Sequence, residues 1–190
     1  MKRNFGKAAS TIFAIAVGFS LNASSLVWSQ EHPAEHPKAH PAMTVAKAVA
    51  VLNPTKGNTA NGVVTFSQEQ SGVHVVVKLT GVSKGVHGFH IHEFGDCSAP
   101  DGTSAGLHFN PTNAAHAGRD AEKRHMGDMG NVTADEQGNA TLDYIDKHLT
   151  LAAIIGRGMI LHANPDDMTT QPTGNAGGRI ACGVIGVGKP

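Results

Sequence analysis

Charge imbalance, long apolar runs, cysteines and aromatics are all scarce in this chain of 190 residues. Only 16% of it is charged, and fifteen Lys and Arg stand against fifteen Asp and Glu. With no basic excess there is no electrostatic footprint for a phosphate backbone, so nothing in the balance supports nucleic acid as a partner. The apolar stretch 8–21 falls short of the roughly 20 residues that cross a bilayer, which argues against a membrane span. Past residue 45 no segment keeps a 3.6-residue apolar period, which argues against long helices. Aromatics make up 5%, while 23 glycines and a 40% hydrophobic content suit one compact domain with many turns.

The chain's front has its own composition. Lys2, Arg3 and Lys7 precede the apolar stretch, and small residues follow it. That order is the anatomy of a secretory signal over residues 1–29, cut after Ser29, with Ser25 the alternative. Removing it leaves twelve basic against fifteen acidic residues, a net charge of −3 with His neutral. The expected destination is an exported one, periplasmic or extracellular. An oxidising compartment favours a disulfide over free thiols, and Cys97 and Cys182 are the only two cysteines. Joining them closes a loop worth roughly 4.6 kcal/mol in the chain-entropy account.

Residues 30–43 form a His-Pro-rich arm, in which His32, His36 and His40 each precede a proline. Proline pushes the residue before it toward extended geometry, so the arm is expected to lie outside any core. Its imidazoles could collect Cu(II) or Zn(II), the alternative being a solvated linker. The folded domain is expected over 44–190.

Within that domain the pattern is of short β runs between turns. Strands are predicted at 45–52, 61–67, 73–80, 86–93, 140–145, 158–163 and 179–187, with a weaker piece at 130–133. Val73, Val75, Val77 and Leu79 alternate with His74, Val76 and Lys78, as in a strand with one buried face. His74 is thereby expected to be an idle surface residue. Seven or eight such strands predict an all-β sandwich or barrel. Two segments break the rhythm, 97–128 and 164–178, both rich in Gly, Asn and Asp. Loops this long in a compact domain are usually functional.

In the run GVHGFHIHEFGD (85–96), His90 and His92 are two residues apart, so on a strand both imidazoles face one side. The first long loop holds His108, His116, His125 and Asp128, and His162 closes a strand shortly before Asp166. One ion cannot use all of these. Two could, if one imidazole bridged them through both ring nitrogens, and spacing alone does not say which. Three nitrogens and a carboxylate suit structural Zn(II), whereas an all-imidazole set with an open position suits copper.

The runs GFHIHEFGD (88–96), AGLHFNP (105–111), RHMGDMGNV (124–132) and GNAGGRIACGVIG (174–186) resemble, in order, the signatures of the copper,zinc superoxide dismutases. The resemblance covers residues 45–187. It implies an eight-stranded Greek-key β-sandwich or barrel of immunoglobulin-like architecture with two long functional loops, a homodimer, and superoxide as substrate. It implies copper on His90, His92, His108 and His162, with His108 the bridge, and zinc on His108, His116, His125 and Asp128. Asp166 matches the aspartate that links a copper-side to a zinc-side histidine, Arg179 the arginine that receives the anion, and His87 a structural histidine. His148 has no matching role. The chain departs from the pattern in two places. Cys97 lies five residues after His92, as in bacterial periplasmic members, and the 166–179 loop is short, without the lysine and glutamates that steer the substrate elsewhere. A rival reading is an exported copper or zinc store on the same fold; a store needs ligands but no anion-guiding arginine.

Overall fold

The computed structural model describes residues 45–190. The signal segment and the arm, with His32, His36 and His40, lie outside the described residues.

Eight antiparallel strands close into a barrel: β1 (Lys47–Pro54), β2 (Asn61–Glu69), β3 (Gly72–Thr80), β4 (Gly85–His92), β5 (Asp128–Ala134), β6 (Ala140–Asp146), β7 (Gly158–His162) and β8 (Arg179–Val187). They neighbour one another in the order β1-β2-β3-β6-β5-β4-β7-β8, and β8 returns to pair with β1. The β3–β4 and β6–β7 connections each pass over two strands, which is the Greek-key crossover. Closure leaves no free edge to recruit another chain. Among the described residues helix is limited to a 3-10 turn at Thr103–Ala105 and one α turn, α1 (Leu151–Ile154), capped by the Thr150 hydroxyl, which accepts from Ala153 N.

Side-chain alternation fills the barrel. Val73, Val75, Val77 and Leu79 of β3 are buried, as are Val64 and Phe66 of β2 and Phe89 and Ile91 of β4. All belong to one apolar cluster. β4 is buried on both faces from His87 to His92, as is its neighbour β7 along its whole length. Phe89 and Ile91 fill the interior, while His90 and His92 face outward beneath the two long loops. A strand at a surface becomes a floor because the loops cover it.

Gly88 permits that covering. Its amide donates to Asn164 O at 2.8 Å, and a Cβ there would sit 2.8 Å from Ala176 Cβ and 3.1 Å from His90 Cε1. Any side chain would lift the second loop off the strand. The first loop is tied down by the expected disulfide, Cys97–Cys182, which joins it to β8 with the Cα atoms 5.8 Å apart.

Two expectations need correction. The weak piece at 130–133 is a full seven-residue strand, β5, with Asp128 as its first residue. Its apolar signal is diluted because its outer side meets the second loop with polar groups. Asn131 Nδ2 donates to Asp166 O at 2.9 Å, and Asn131 Oδ1 accepts from Asp166 N at 2.8 Å. His74 is not idle: its Nε2 lies 2.7 Å from Asp143 Oδ1 on β6, and its Nδ1 lies 3.4 Å from Glu69 on β2. The hydrogen bond to Asp143 raises the His74 pKa above its ordinary value. The pair is exposed enough that water screens most of its contribution to stability.

Candidate metal centre

His90 and His92 rise from β4 on one face. His108 reaches them from the loop because its backbone is stitched to β4 as an isolated bridge opposite His92. Glu93 N donates to Leu107 O at 2.9 Å and Phe109 N to Ile91 O at 2.8 Å, so His108 is held between two strand-like bonds. Phe109 is buried next to it under the Arg157 guanidinium, 4.1 Å from the ring centre. His162 arrives on β7, which pairs directly with β4.

These four imidazoles are buried, and each offers a ring nitrogen within 4.8 Å of the others'. Their remaining nitrogens are fixed from outside. His92 Nδ1 donates to Gly106 O (2.9 Å), His162 Nδ1 to Gly177 O (3.1 Å) and His90 Nε2 to Asp166 Oδ2 (2.9 Å). Inside the cluster, His92 Nε2 and His162 Nε2 stand 3.3 Å apart. His90 Nδ1 and His108 Nε2 are buried without a hydrogen-bond partner. Buried polar atoms are rarely left so unless a ligand completes them, and a metal suits convergent nitrogen lone pairs.

The second group shares His108. Its Nδ1 and His116 Nδ1 each lie 2.9 Å from Asp128 Oδ1, and His125 Nδ1 lies 3.2 Å from the same oxygen. The other carboxylate oxygen, Asp128 Oδ2, accepts from the amides of Ala117 (3.1 Å) and His125 (2.9 Å). One carboxylate is therefore aimed by the backbone while three imidazoles converge on its free oxygen. This is the three-nitrogen, one-oxygen set that structural zinc takes.

Asp166 joins the two groups. Its Oδ2 holds His90 Nε2 and its Oδ1 holds His116 Nε2, both at 2.9 Å. Outer-shell carboxylates of this kind fix the ring plane and tautomer of ligand histidines. Arg179 lies at the first residue of β8, its guanidinium donating to Gly102 O and Gly106 O. Gly106 O also accepts from His92, so a single carbonyl links the arginine to the four-imidazole cluster. In front of Arg179 is an open cavity of about 270 Å3 lined by Lys56, Asp101 and Thr103.

Protonation follows burial. Desolvation lowers His90 to about 4 against the pull of Asp166, lowers His162 to about 3, and takes His92 well below the ordinary value. All three are neutral, the form that ligates metal. At His116 burial opposes the charge, but hydrogen bonds to Asp128 and Asp166 outweigh it and raise the ring to about 9. Burial would raise both carboxyls. Histidine hydrogen bonds, from His108 and His116 to Asp128 and from His116 and His90 to Asp166, hold them well below the usual carboxylate range instead.

The structure thus brings together the six histidines read from the sequence as ligands of a two-metal centre, with Asp128, and sets Asp166 and Arg179 beside them. It leaves His148 outside both groups. His87 spans two backbones, with Nδ1 2.8 Å from His162 O and Nε2 2.8 Å from Ser83 O. Three supporting residues were missed. Arg124 lies beside His125 in a recognised run, but its partner, Asp146, is 22 residues away. Gln171 and Lys56 carry no local signal at all.

A sequence profile described as copper/zinc superoxide dismutase (SODC) matches residues 60–185. An extracellular superoxide dismutase [Cu-Zn] from Brugia pahangi is 40% identical over 154 residues, covering 75% of this chain and 76% of the relative. Among solved structures, that of the clock protein EA4 is 44% identical with a TM-score of 0.71, over 78% of this chain and 98% of that one.

Proposed function

The chain belongs to the copper/zinc superoxide dismutase family, and we propose that it holds copper with His90, His92, His108 and His162 and zinc with His108, His116, His125 and Asp128. The protein is an exported oxidoreductase that turns two superoxide anions and two protons into one dioxygen and one hydrogen peroxide, with copper and zinc as cofactors. What supports the residue assignment is that the two donor groups meet in a single side chain, His108, with its Nδ1 toward Asp128 and its Nε2 among the other three imidazoles.

Copper held by His90, His92, His108 and His162 would supply the one-electron redox chemistry, and zinc held by His108, His116, His125 and Asp128 would be structural. The protein's own groups do the rest. Arg179, charged at any working pH, receives the anion beside the copper-side cluster. His108 Nε2 is the atom at which a proton is held and then given to the departing peroxide. His108 is singled out because it alone belongs to both donor groups, whereas His90, His92 and His162 belong to one and are oriented from outside by Asp166, Gly106 O and Gly177 O. The short loop lacks the steering lysine and glutamates, and the cations that line the cavity beside it are Arg179 and Lys56, with Asp101 opposing them. Arg179→Ile is expected to lower the second-order rate at least about tenfold and to weaken inhibition by small anions, with metal content unchanged. Wild-type activity in that variant, measured on metal-reconstituted protein, would remove the assigned role.

The finer readings extend this one. Cleavage after Ser29 gives a mature chain with the His-Pro arm of residues 30–43, available to gather metal ahead of the 44–190 domain, in the periplasm or outside the cell. Its partner is a second copy of itself, seated on the apolar face of Val51, Phe94 and Val184. These side chains are 56%, 57% and 44% exposed, and they cluster where β1 and β8 meet the start of the first loop. Sedimentation of the exported protein should give the mass of two such chains, and Val184→Asp should give one. A wild-type monomer at micromolar concentration would rule the dimer out.

A further inference from the structure

The shortened loop between β7 and β8 is held down by two carboxamides, and only one of them comes from the loop itself. Asn131, on β5, grips the main chain of Asp166 at the loop's beginning. Gln171 reaches out from the loop's middle to a residue 55 positions earlier. Its Oε1 accepts from His116 N and its Nε2 donates to His116 O, both at 2.8 Å, and Nε2 donates also to Thr169 O at 3.1 Å. One side chain thus pairs with both polar groups of one backbone residue, as a neighbouring strand would. The ring of that residue is gripped by the same loop, since His116 Nε2 meets Asp166 Oδ1 at 2.9 Å. Gly174 is seated so closely against Asp166 Oδ1 and His116 Nε2 that no Cβ fits there.

His116 is therefore held by the second loop at its ring and along its main chain. The same loop supplies Gly177 O to His162 on the copper side. Fixing His116 is passed to the loop through these contacts, and Gln171 makes two of them.

We propose that Gln171 is a positioning residue that couples zinc occupancy to the order of the loop covering the copper side, by clasping the main chain of His116. The inference rests on the assignment of His116 to zinc. Zinc fixes the imidazole and the imidazole fixes its backbone. The carboxamide carries that constraint to residues 168–175. Coupling of this kind is reciprocal, so a clasp that zinc strengthens must strengthen zinc in return. Gln171 itself is exposed, which places the effect at the low end of the range for outer-shell changes, about tenfold in zinc affinity.

The test uses the full mature chain, copper-free with its disulfide intact, titrated with Zn(II) against a chromophoric chelator. Amide hydrogen exchange is followed over residues 164–178. In the native protein zinc should slow exchange across the loop. Gln171→Ala should bind zinc about tenfold more weakly and lose the zinc-dependent slowing. Gln171→Glu, of the same size but without the donor, should behave alike. Affinity within twofold of wild type, or full zinc-dependent slowing in both variants, would overturn the clasp alone. His116→Ala is run in parallel. If it too leaves zinc affinity unchanged, the zinc assignment falls and the clasp with it.

Discussion

His108→Ala is expected to cut superoxide disproportionation by on the order of 10²-fold or more and to make the copper spectrum indifferent to zinc. The loss should be local. Backbone bonds from Glu93 N to Leu107 O and from Phe109 N to Ile91 O flank the position and need no imidazole. Phe109 remains buried under Arg157. The fold and the loop register are thus preserved, while the one side chain common to both donor groups disappears. The variant should still bind copper through His90, His92 and His162, and zinc more weakly through His116, His125 and Asp128. Optical titration of the copper form with zinc is the direct readout. A variant that keeps activity within tenfold and still shifts its spectrum on zinc addition would refute the shared role.

Arg124→Leu is expected to destabilise the folded protein by about 3–5 kcal/mol, the range for removing one partner of a buried ion pair. Arg124 Nη2 meets Asp146 Oδ2 at 2.7 Å, and each side chain is 2% exposed. The guanidinium also donates from Nη1 to His125 O at 2.8 Å and Met126 O at 3.1 Å. Asp146 Oδ1 accepts from the amides of His148 and Leu149. Removing the arginine leaves a buried carboxylate unpaired and two carbonyls without donors, one of them on a residue assigned to zinc. Weaker zinc binding should therefore accompany the lower stability. Arg124→Leu combined with Asp146→Leu should recover part of the loss, because the stranded charge is gone. Urea unfolding of the metal-free forms measures both, and a loss under 1 kcal/mol in the single variant would contradict the account.

The strands were legible because a half-buried strand repeats every two residues and the chain obeys this in β1, β2, β3 and β6. β5 was faint for a physical reason. Asn131 replaces an apolar residue where the strand meets a loop backbone instead of solvent or core. The ligand types were legible too, since chemistry restricts metal donors to few residues and they gather in segments too polar to order themselves. His74 was misread as idle because its partners, Glu69 and Asp143, lie on the flanking strands, and nothing in the local pattern of β3 names them.

By itself, then, the sequence pointed to the β class, the candidate donor residues, the disulfide pairing of two lone cysteines and the family to which their order belongs. The β class follows from short-range period and the disulfide from there being two cysteines in an oxidising compartment, whereas the donor residues and the family come from four ordered motifs that resemble the family's signatures. Tertiary structure alone decided that β4 is covered on its outer face, so that His90 and His92 are buried and neutral. It also decided that His108 is pinned by a bridge to β4, that Arg124 finds Asp146, and that Gln171 clasps His116. Each of these depends on hydrogen bonds or contacts between segments distant in the chain. Such bonds are set by distance and direction in the closed barrel, and no local pattern of residues encodes them.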